Sequence, residues 1–185
     1  MVTAGIDEVG RGCWAGPVVA GAVILNNPIA GLKDSKKLSK KQRDKMAAEI
    51  QIQAVAIGLG WVQPFEIDEI GLTAAVGLAM QRALDQIKAE YDEIIIDGNY
   101  NFFPEDPKAK ALAKADDLVP AVSAASIVAK VERDKYMSEL QGHYANYQFG
   151  KHVGYGTALH LELLRKFGVS DVHRKSFKPV AALVQ

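Results

Sequence analysis

Residues 5–21 read Gly-Ile-Asp-Glu-Val-Gly-Arg-Gly-Cys-Trp-Ala-Gly-Pro-Val-Val-Ala-Gly. Two adjacent carboxylates, Asp7 and Glu8, close a short apolar run. A turn with glycines at 10, 12 and 16 follows and carries one guanidinium, Arg11. Hard divalent cations prefer oxygen ligands, and glycines let backbone N–H groups approach a sugar or phosphate closely. Acids beside such donors suit chemistry on a phosphodiester. Two further acids stand at comparable places: Asp97, after an apolar run, and Asp116 or its neighbour Asp117. If the strands that carry them lie side by side, four carboxylates meet at one rim of a sheet. They repel one another unless a cation offsets them. Two divalent ions about 3.5–4 Å apart would do so, activating water and stabilising charge on the phosphate and the leaving oxygen.

Taken singly, these acids have plainer readings: Asp97 before Gly98 fits a turn, and Asp117 before Pro120 fits a helix cap. The group, together with the glycine turn, is what points to metal. One geometric condition attaches to it. Consecutive strand residues face opposite sides, so Asp7 and Glu8 can address one metal pair only if the chain bends or bulges, as Gly10 and Gly12 permit. Other chemistries lack their signatures. His143, His152, His160 and His173 form no His-x-x-x-His pair, and no Gly-x-Ser-x-Gly elbow or Gly-x-x-x-x-Gly-Lys-Ser/Thr loop occurs. Cys13 beside Trp14 reads as a packed small side chain.

The elements that must position these groups follow from pattern. Val2–Ile6 and the apolar Pro17–Leu25 predict two strands, paired antiparallel because little chain separates them. Ser39 predicts the cap of a helix over 40–51. A third strand is expected at Val55–Trp61, a short helix at Pro64–Ile70, and a longer helix capped by Thr73 and running to about Glu90. Glu93–Ile96 ends at Asp97-Gly98 as the clearest strand-to-loop junction, and Ala109–Ala115 reads as another strand. Pro120–Leu140 reads as a helix with proline in its first turn, and a last clear helix spans about 158–167, stopped at Gly168. Three early strands followed by alternating helices and strands imply an α/β fold: a mixed β-sheet with helices packed on it, in one domain over 1–185.

Bulk properties narrow the class. The 185 residues are 49% hydrophobic and 24% charged, ordinary for a globular protein. No apolar run reaches the length of a membrane span, and residues 1–15 lack the pattern of a signal peptide. The single cysteine excludes an internal disulfide and fits a reducing compartment, so a cytoplasmic protein is expected. The 22 basic and 22 acidic side chains give zero formal charge, which argues against coating long nucleic acid by bulk charge. Basic residues nevertheless cluster at 33–45 and at 165–178, the latter holding Arg165, Lys166, Arg174, Lys175 and Lys178. Taken alone, each cluster reads as a solvated face. Flanking an acidic centre, both would suit a polyanion.

Six segments in order resemble one family. They are Gly5-Ile-Asp-Glu-Val-Gly-Arg-Gly12, Asp34-Ser-Lys-Lys-Leu-Ser39, Ile94-Ile-Ile-Asp-Gly98, Lys114-Ala-Asp-Asp117 running into Val122–Asp134, Gly154-Tyr-Gly-Thr157 and His173-Arg-Lys-Ser-Phe-Lys-Pro179. The chain resembles the ribonuclease HII family, the bacterial type 2 ribonucleases H. The resemblance implies a ribonuclease H-like mixed sheet and a metal-dependent endonuclease holding two Mg²⁺ or Mn²⁺ ions on Asp7, Glu8, Asp97 and Asp116. It implies as substrates RNA–DNA hybrids and duplex DNA with embedded ribonucleotides. The cut falls 5′ of the ribonucleotide and leaves 3′-hydroxyl and 5′-phosphate ends. Gly10, Arg11 and Gly12 would contact the ribose 2′-hydroxyl, Tyr155 would stack on the neighbouring sugar, and Ser35, Lys36 and Lys37 would hold phosphates. A monomer is expected. Where relatives have glycine before the fourth acid this chain has Ala115, and Cys13 replaces a proline often found after the turn. The chain ends soon after Pro179, so duplex contacts from a longer tail are not expected. The rival readings are a metal nuclease acting on DNA junctions and a non-catalytic nucleic-acid-binding domain.

Overall fold

The computed structural model describes residues 1–32 and 35–184, so Lys33 of the first basic cluster and Asp34 of the Asp34–Ser39 segment lie outside the described residues. Strands β1 (Thr3–Val9), β2 (Val18–Leu25) and β3 (Ala54–Val62) pair antiparallel in sequence order. Strand β4 (Glu93–Asp97) adds to β1 in parallel and β5 (Ala109–Leu112) to β4 in parallel, giving the order β3-β2-β1-β4-β5. This is the mixed sheet that the alternation of elements implies.

Small residues let helices approach both faces closely. On one face, helices α2 (Pro64–Ile70) and α3 (Leu72–Leu84) cover Ala4, Ile6, Ala20, Ala22, Ile94 and Ile96. On the other, α1 (Lys40–Gln53) and α5 (Pro120–Leu140) cover the remaining positions. A Cβ on Gly5 would strike the backbone of Ala121 and Val122, and one on Gly21 would strike the carbonyl of Ala125. The first turns of α5 therefore lie directly against β1 and β2, beside Asp7, whose register partner is Gly21.

Most helix starts follow from their caps. Ser39 and Gln42 form a reciprocal capping box at α1, Pro120 opens α5, and the Thr157 hydroxyl accepts from the His160 N–H at the start of α7 (Ala158–Phe167). Two expectations are corrected. The cap of α3 is Gly71, at φ 80°, not Thr73, and this helix stops at Leu84. Strand β5 ends at Leu112 because Lys114 turns left-handed (φ 60°) and starts the short α4 (Ala115–Leu118). Two further short helices, α6 (Phe149–His152) and α8 (Lys178–Ala181), pack with α7 around Met137, Phe149 and Leu164.

The seat of α5 on Gly5 makes a direct test. Gly5→Ala is expected to cost about 1–3 kcal/mol, because the added methyl meets backbone that cannot rotate away. A urea titration should show a lower midpoint at unchanged slope. A change below about 0.5 kcal/mol, the range of a neutral surface substitution, would mean that α5 is not held at that distance.

Candidate active site

Parallel register brings the acids together. Ile6 pairs with Ile96, so the next residues, Asp7 and Asp97, stand at the same level of adjacent strands and face the α5 side. Lys114 then directs α4 so that Asp116 turns inward, where it is buried, while Asp117 is exposed and takes the Lys37 ammonium at 2.5 Å. One carboxylate oxygen from each of Asp7, Asp97 and Asp116 lies within 4.8 Å of the others. The Asp116 N–H donates to Asp97 Oδ1 at 3.4 Å, and the Glu8 N–H to Asp7 Oδ1 at 2.8 Å.

Glu8 reaches the site differently. The pairing of β1 with β2 continues without interruption from Ala4 through Val9, and the chain turns only at Gly10, φ 88°. The bend expected between Asp7 and Glu8 is therefore absent. Glu8 emerges from the opposite face, outside the three-carboxylate group, and its Oε1 accepts from Arg11 Nη1 at 3.2 Å. Because β4 has already ended at Asp97, this side chain stands at the rim and lines the same cavity as Asp7.

The electrostatics are those of acids held too close. Burial, reinforced by Glu8 and Asp97, pushes the Asp7 carboxyl up to about 8, although Ser126 donates to it. Burial likewise raises Glu8 against the pull of Arg11, and raises Asp97 with help from Asp116. The Ser35 and Ser126 hydroxyls meet at 2.9 Å. This buried hydroxyl pair stands beside Asp7 at the edge of the acidic group. Lys36 lies on Asp116 at 3.2 Å. An all-oxygen donor set whose repulsion is only partly offset fits a hard divalent cation.

The glycine turn and Tyr155 face the same cavity. Cys13, fully buried as its packed reading implied, forms a β-bridge with Tyr155, and the Trp14 N–H donates to the Gly154 carbonyl at 2.8 Å. Gly156 leaves room for the Trp14 ring. Tyr155 itself is 38% exposed, with Lys130 Nζ 5.5 Å from its ring centre. Behind it, three buried histidines fix the loop. The Gly154 N–H donates to His152 Nδ1 (3.2 Å), so His152 Nε2 donates to the Tyr147 carbonyl (2.8 Å). His160 Nδ1 donates to the Tyr155 carbonyl (2.9 Å), leaving its Nε2 to accept from His173 (3.1 Å). Burial lowers His160 to about 4 and His173 to about 3, so both stay neutral near pH 7.

Five side chains that shape this cavity carried no role in the sequence reading. Arg43 Nη1 donates to the carbonyls of Ser35 (3.1 Å) and Leu38 (2.6 Å) and so holds the Ser35–Lys37 turn. Ser126, Lys130 and Arg133 form one stripe of α5 at i, i+4 and i+7, a signal that helical spacing offered. Arg174, read as part of a solvated basic face, is in fact fully buried. Its Nε donates to the Gly16 carbonyl at 3.0 Å and its Nη1 to the Arg11 carbonyl at 3.0 Å.

Comparison with known proteins agrees with this architecture. The fold matches the crystal structure of the ribonuclease H2 from Pyrococcus horikoshii OT3 with a TM-score of 0.83 and 27% identity, covering 99% of this chain and 97% of that one. The molecule is thus a hydrolase of the ribonuclease H class. A family model described as Ribonuclease HII matches residues 4–180, and the chain belongs to the ribonuclease HII family. Ribonuclease HII of Shewanella loihica is 51% identical over 181 residues, covering 96% of this chain and 87% of that protein. Ribonuclease HII of Dichelobacter nodosus is 47% identical over 185 residues, covering 98% and 97%. The protein is accordingly a ribonuclease H endonuclease, of a metal-dependent family that acts on RNA–DNA hybrids.

The raised Asp7 value has a consequence for the metal-free protein. A carboxyl at about 8 when folded, against about 3.9 when unfolded, makes the native state bind more protons between those values, so stability falls as pH rises. Burial keeps His152, His160 and His173 neutral when folded, so their residual protonation in the unfolded state acts in the opposite direction and fades from pH 7 to 8. That contribution is common to the parent protein and an Asp7 variant. In chelator, the melting temperature should fall across this interval in the parent protein and much less in Asp7→Asn. Added Mg²⁺ should raise it more at pH 8 than at pH 7. A pH-independent Mg²⁺ effect would show that the cation does not displace a proton from this site.

Proposed function

We propose that this enzyme cuts the phosphodiester on the 5′ side of a ribonucleotide in duplex nucleic acid, in RNA–DNA hybrids and at single ribonucleotides embedded in DNA, leaving 3′-hydroxyl and 5′-phosphate ends. The supporting observation is that one cavity is lined by Asp7, Glu8, the Gly10–Arg11–Gly12 turn, Ser35, Lys36 and Tyr155. Acids for hydrolysis and backbone donors for a sugar hydroxyl therefore face a common space.

In this reading Asp7, Glu8, Asp97 and Asp116 hold Mg²⁺ or Mn²⁺, two ions in the active complex, which when bound supply Lewis acidity toward water and the phosphate. The protein's own groups perform the rest. Backbone donors of the turn read the 2′-hydroxyl, the feature that separates RNA from DNA, without reading the base. The half-exposed Tyr155 ring offers a flat surface to the adjoining sugar. Ser35, Lys36 and Lys37 hold phosphates, which position the duplex but carry no sequence information. Lys36 and Lys37 rest on Asp116 and Asp117. Cation binding to Asp116 would weaken that carboxylate's hold on Lys36 and favour the ammonium's contact with the substrate backbone.

The same reading takes residues 1–185 as one catalytic domain, acting as a monomer in the cytoplasm. The lone cysteine is compatible with that compartment, and no helix among the described residues is long and apolar enough to cross a membrane.

An end-labelled DNA duplex with one ribonucleotide, supplied with Mg²⁺ or Mn²⁺, tests the chemistry. The parent protein should cut 5′ of the ribose and leave an all-DNA duplex intact. Asp97→Asn should remain folded and lose more than about a hundredfold in kcat, beyond the loss expected of a merely supporting residue. Cleavage of the all-DNA duplex, or near-normal turnover by the folded variant, would sink the reading. Tyr155→Ala should cost roughly 1–2 kcal/mol in kcat/KM at the junction, the scale of a lost stacking contact. Equal kcat/KM for the two proteins would remove its sensing role.

A further inference from the structure

Arg133 lies at the middle of α5, fully buried, and is absent from the described ion pairs. Its three nitrogens each donate to a main-chain carbonyl: Nε to Pro17 at 2.9 Å, Nη2 to Ala15 at 3.1 Å and Nη1 to Val153 at 2.9 Å. The first two carbonyls close the turn that begins with Gly10, and the third immediately precedes Gly154-Tyr155. One rigid, planar group therefore spans two segments about 140 residues apart in sequence. The fit is tight on the turn side, since a Cβ on Gly10 would collide with Arg133 Nε and Cδ. Between the two segments runs a narrow seam. It is also tied by the Cys13–Tyr155 bridge and by the Trp14 and Ala15 N–H bonds to the Gly154 carbonyl, and the Cys13 thiol faces the Val153 carbonyl at 3.8 Å.

We propose that Arg133 is the positioning residue that sets the spacing between the Gly10–Arg11–Gly12 turn and Tyr155, and thereby the alignment of a ribonucleotide for cleavage. This rests on the reading above, in which those two segments sense the ribose. Arg133 touches neither substrate nor the acids. It acts through main-chain carbonyls that no substitution elsewhere can supply. Lysine can keep the charge and the stem, but it cannot hold three carbonyls in one plane. Loosening the seam misplaces the ribose while the phosphate contacts from Ser35, Lys36 and Lys37 persist, so the loss appears in kcat and not in KM.

The test compares the parent protein, Arg133→Lys, Arg133→Met, Tyr155→Ala and the Arg133→Lys/Tyr155→Ala double variant on a duplex with one ribonucleotide, with Mg²⁺ supplied. Arg133→Lys is expected to lose roughly tenfold in kcat and Arg133→Met roughly a hundredfold, as for a small misplacement of reacting groups, with KM within about threefold of the parent. If the lysine exchange costs nothing further once Tyr155 is gone, the two residues act as one unit. A readout independent of activity comes from Cys13, the sole cysteine, which is sealed in the seam. Its labelling by a thiol reagent under native conditions should accelerate at least tenfold in Arg133→Lys, and by more than the fall in that variant's urea midpoint accounts for, as expected of local opening. Should the methionine variant not fold, the lysine variant decides. Parental kcat and parental Cys13 labelling in folded Arg133→Lys would overturn the proposal, as would full additivity with Tyr155→Ala. Failure of the parent protein itself to cut 5′ of the ribose would instead overturn the underlying reading, and the proposal with it.

Discussion

A buried guanidinium whose partners are carbonyl oxygens is the interaction on which the site depends. Between the end of β1 at Val9 and the start of β2 at Val18, the chain crosses the cavity mouth without forming a strand. The carbonyls of Arg11, Ala15, Gly16 and Pro17 find donors in Arg133 and Arg174. A cation taken out of water costs several kcal/mol unless its protons are satisfied, and a buried carbonyl carries its own penalty. Each requirement meets the other here. Burial lowers Arg174 only to about 10, so its charge persists near neutral pH. One nitrogen, Arg174 Nη2, has no hydrogen-bond partner among the described residues. The remaining bonds tie the turn to α5, to the Tyr155 loop and to the segment after α7.

The other half of the cavity obeys opposite physics. Asp7, Asp97 and Asp116 approach closely with burial working against their charges, and Asp7 and Asp97 respond by binding protons more tightly than carboxyls normally do. Lys36, on Asp116, relieves the strain only in part. Such a site gains from a divalent cation in proportion to the repulsion it removes. The recognition half is satisfied as it stands. The hydrolytic half is completed from outside. Helix α5 joins them, since Ser126 serves the acids and Arg133 serves the turn from one stripe of the same helix.

Sequence pattern revealed the elements whose boundaries are local. Pro120 and Ser39 mark helix starts because proline and a capping hydroxyl act within one turn, and both helices begin where those residues imply. It misplaced what longer-range geometry decides. Gly71 takes the cap of α3 from Thr73 through a positive φ, and Lys114 cuts β5 short in the same way. For the site, the six family segments held Asp7, Asp97 and Asp116, the three acids the fold brings together, because carboxylates and glycines are conspicuous by type. The two arginines were not legible. In a sequence, Arg174 beside Lys175 is one more surface charge, and only the tertiary fold shows it fully buried beneath the turn. Ser126 and Lys130 were hidden differently: they belonged to a quoted segment, yet their shared face appears only when helical spacing is applied to them.

The placement of Asp7 and Glu8 illustrates why such a site belongs at a strand end. Successive strand residues project to opposite faces, and in mid-sheet two acids in sequence would be separated by the sheet itself and covered by different helices. A bulge would be one remedy, but β1 stays paired to β2 through Val9. The alternative realised here is to stop the neighbour. Strand β4 ends at Asp97, so beyond that level β1 has no partner on its β4 side. Asp7 then meets Asp97 and Asp116 on the α5 face, while Glu8 reaches the same opening from the α3 face. The unequal lengths of two parallel strands thus do what a distorted backbone would otherwise have to do, and they leave the ladder that anchors the acids intact.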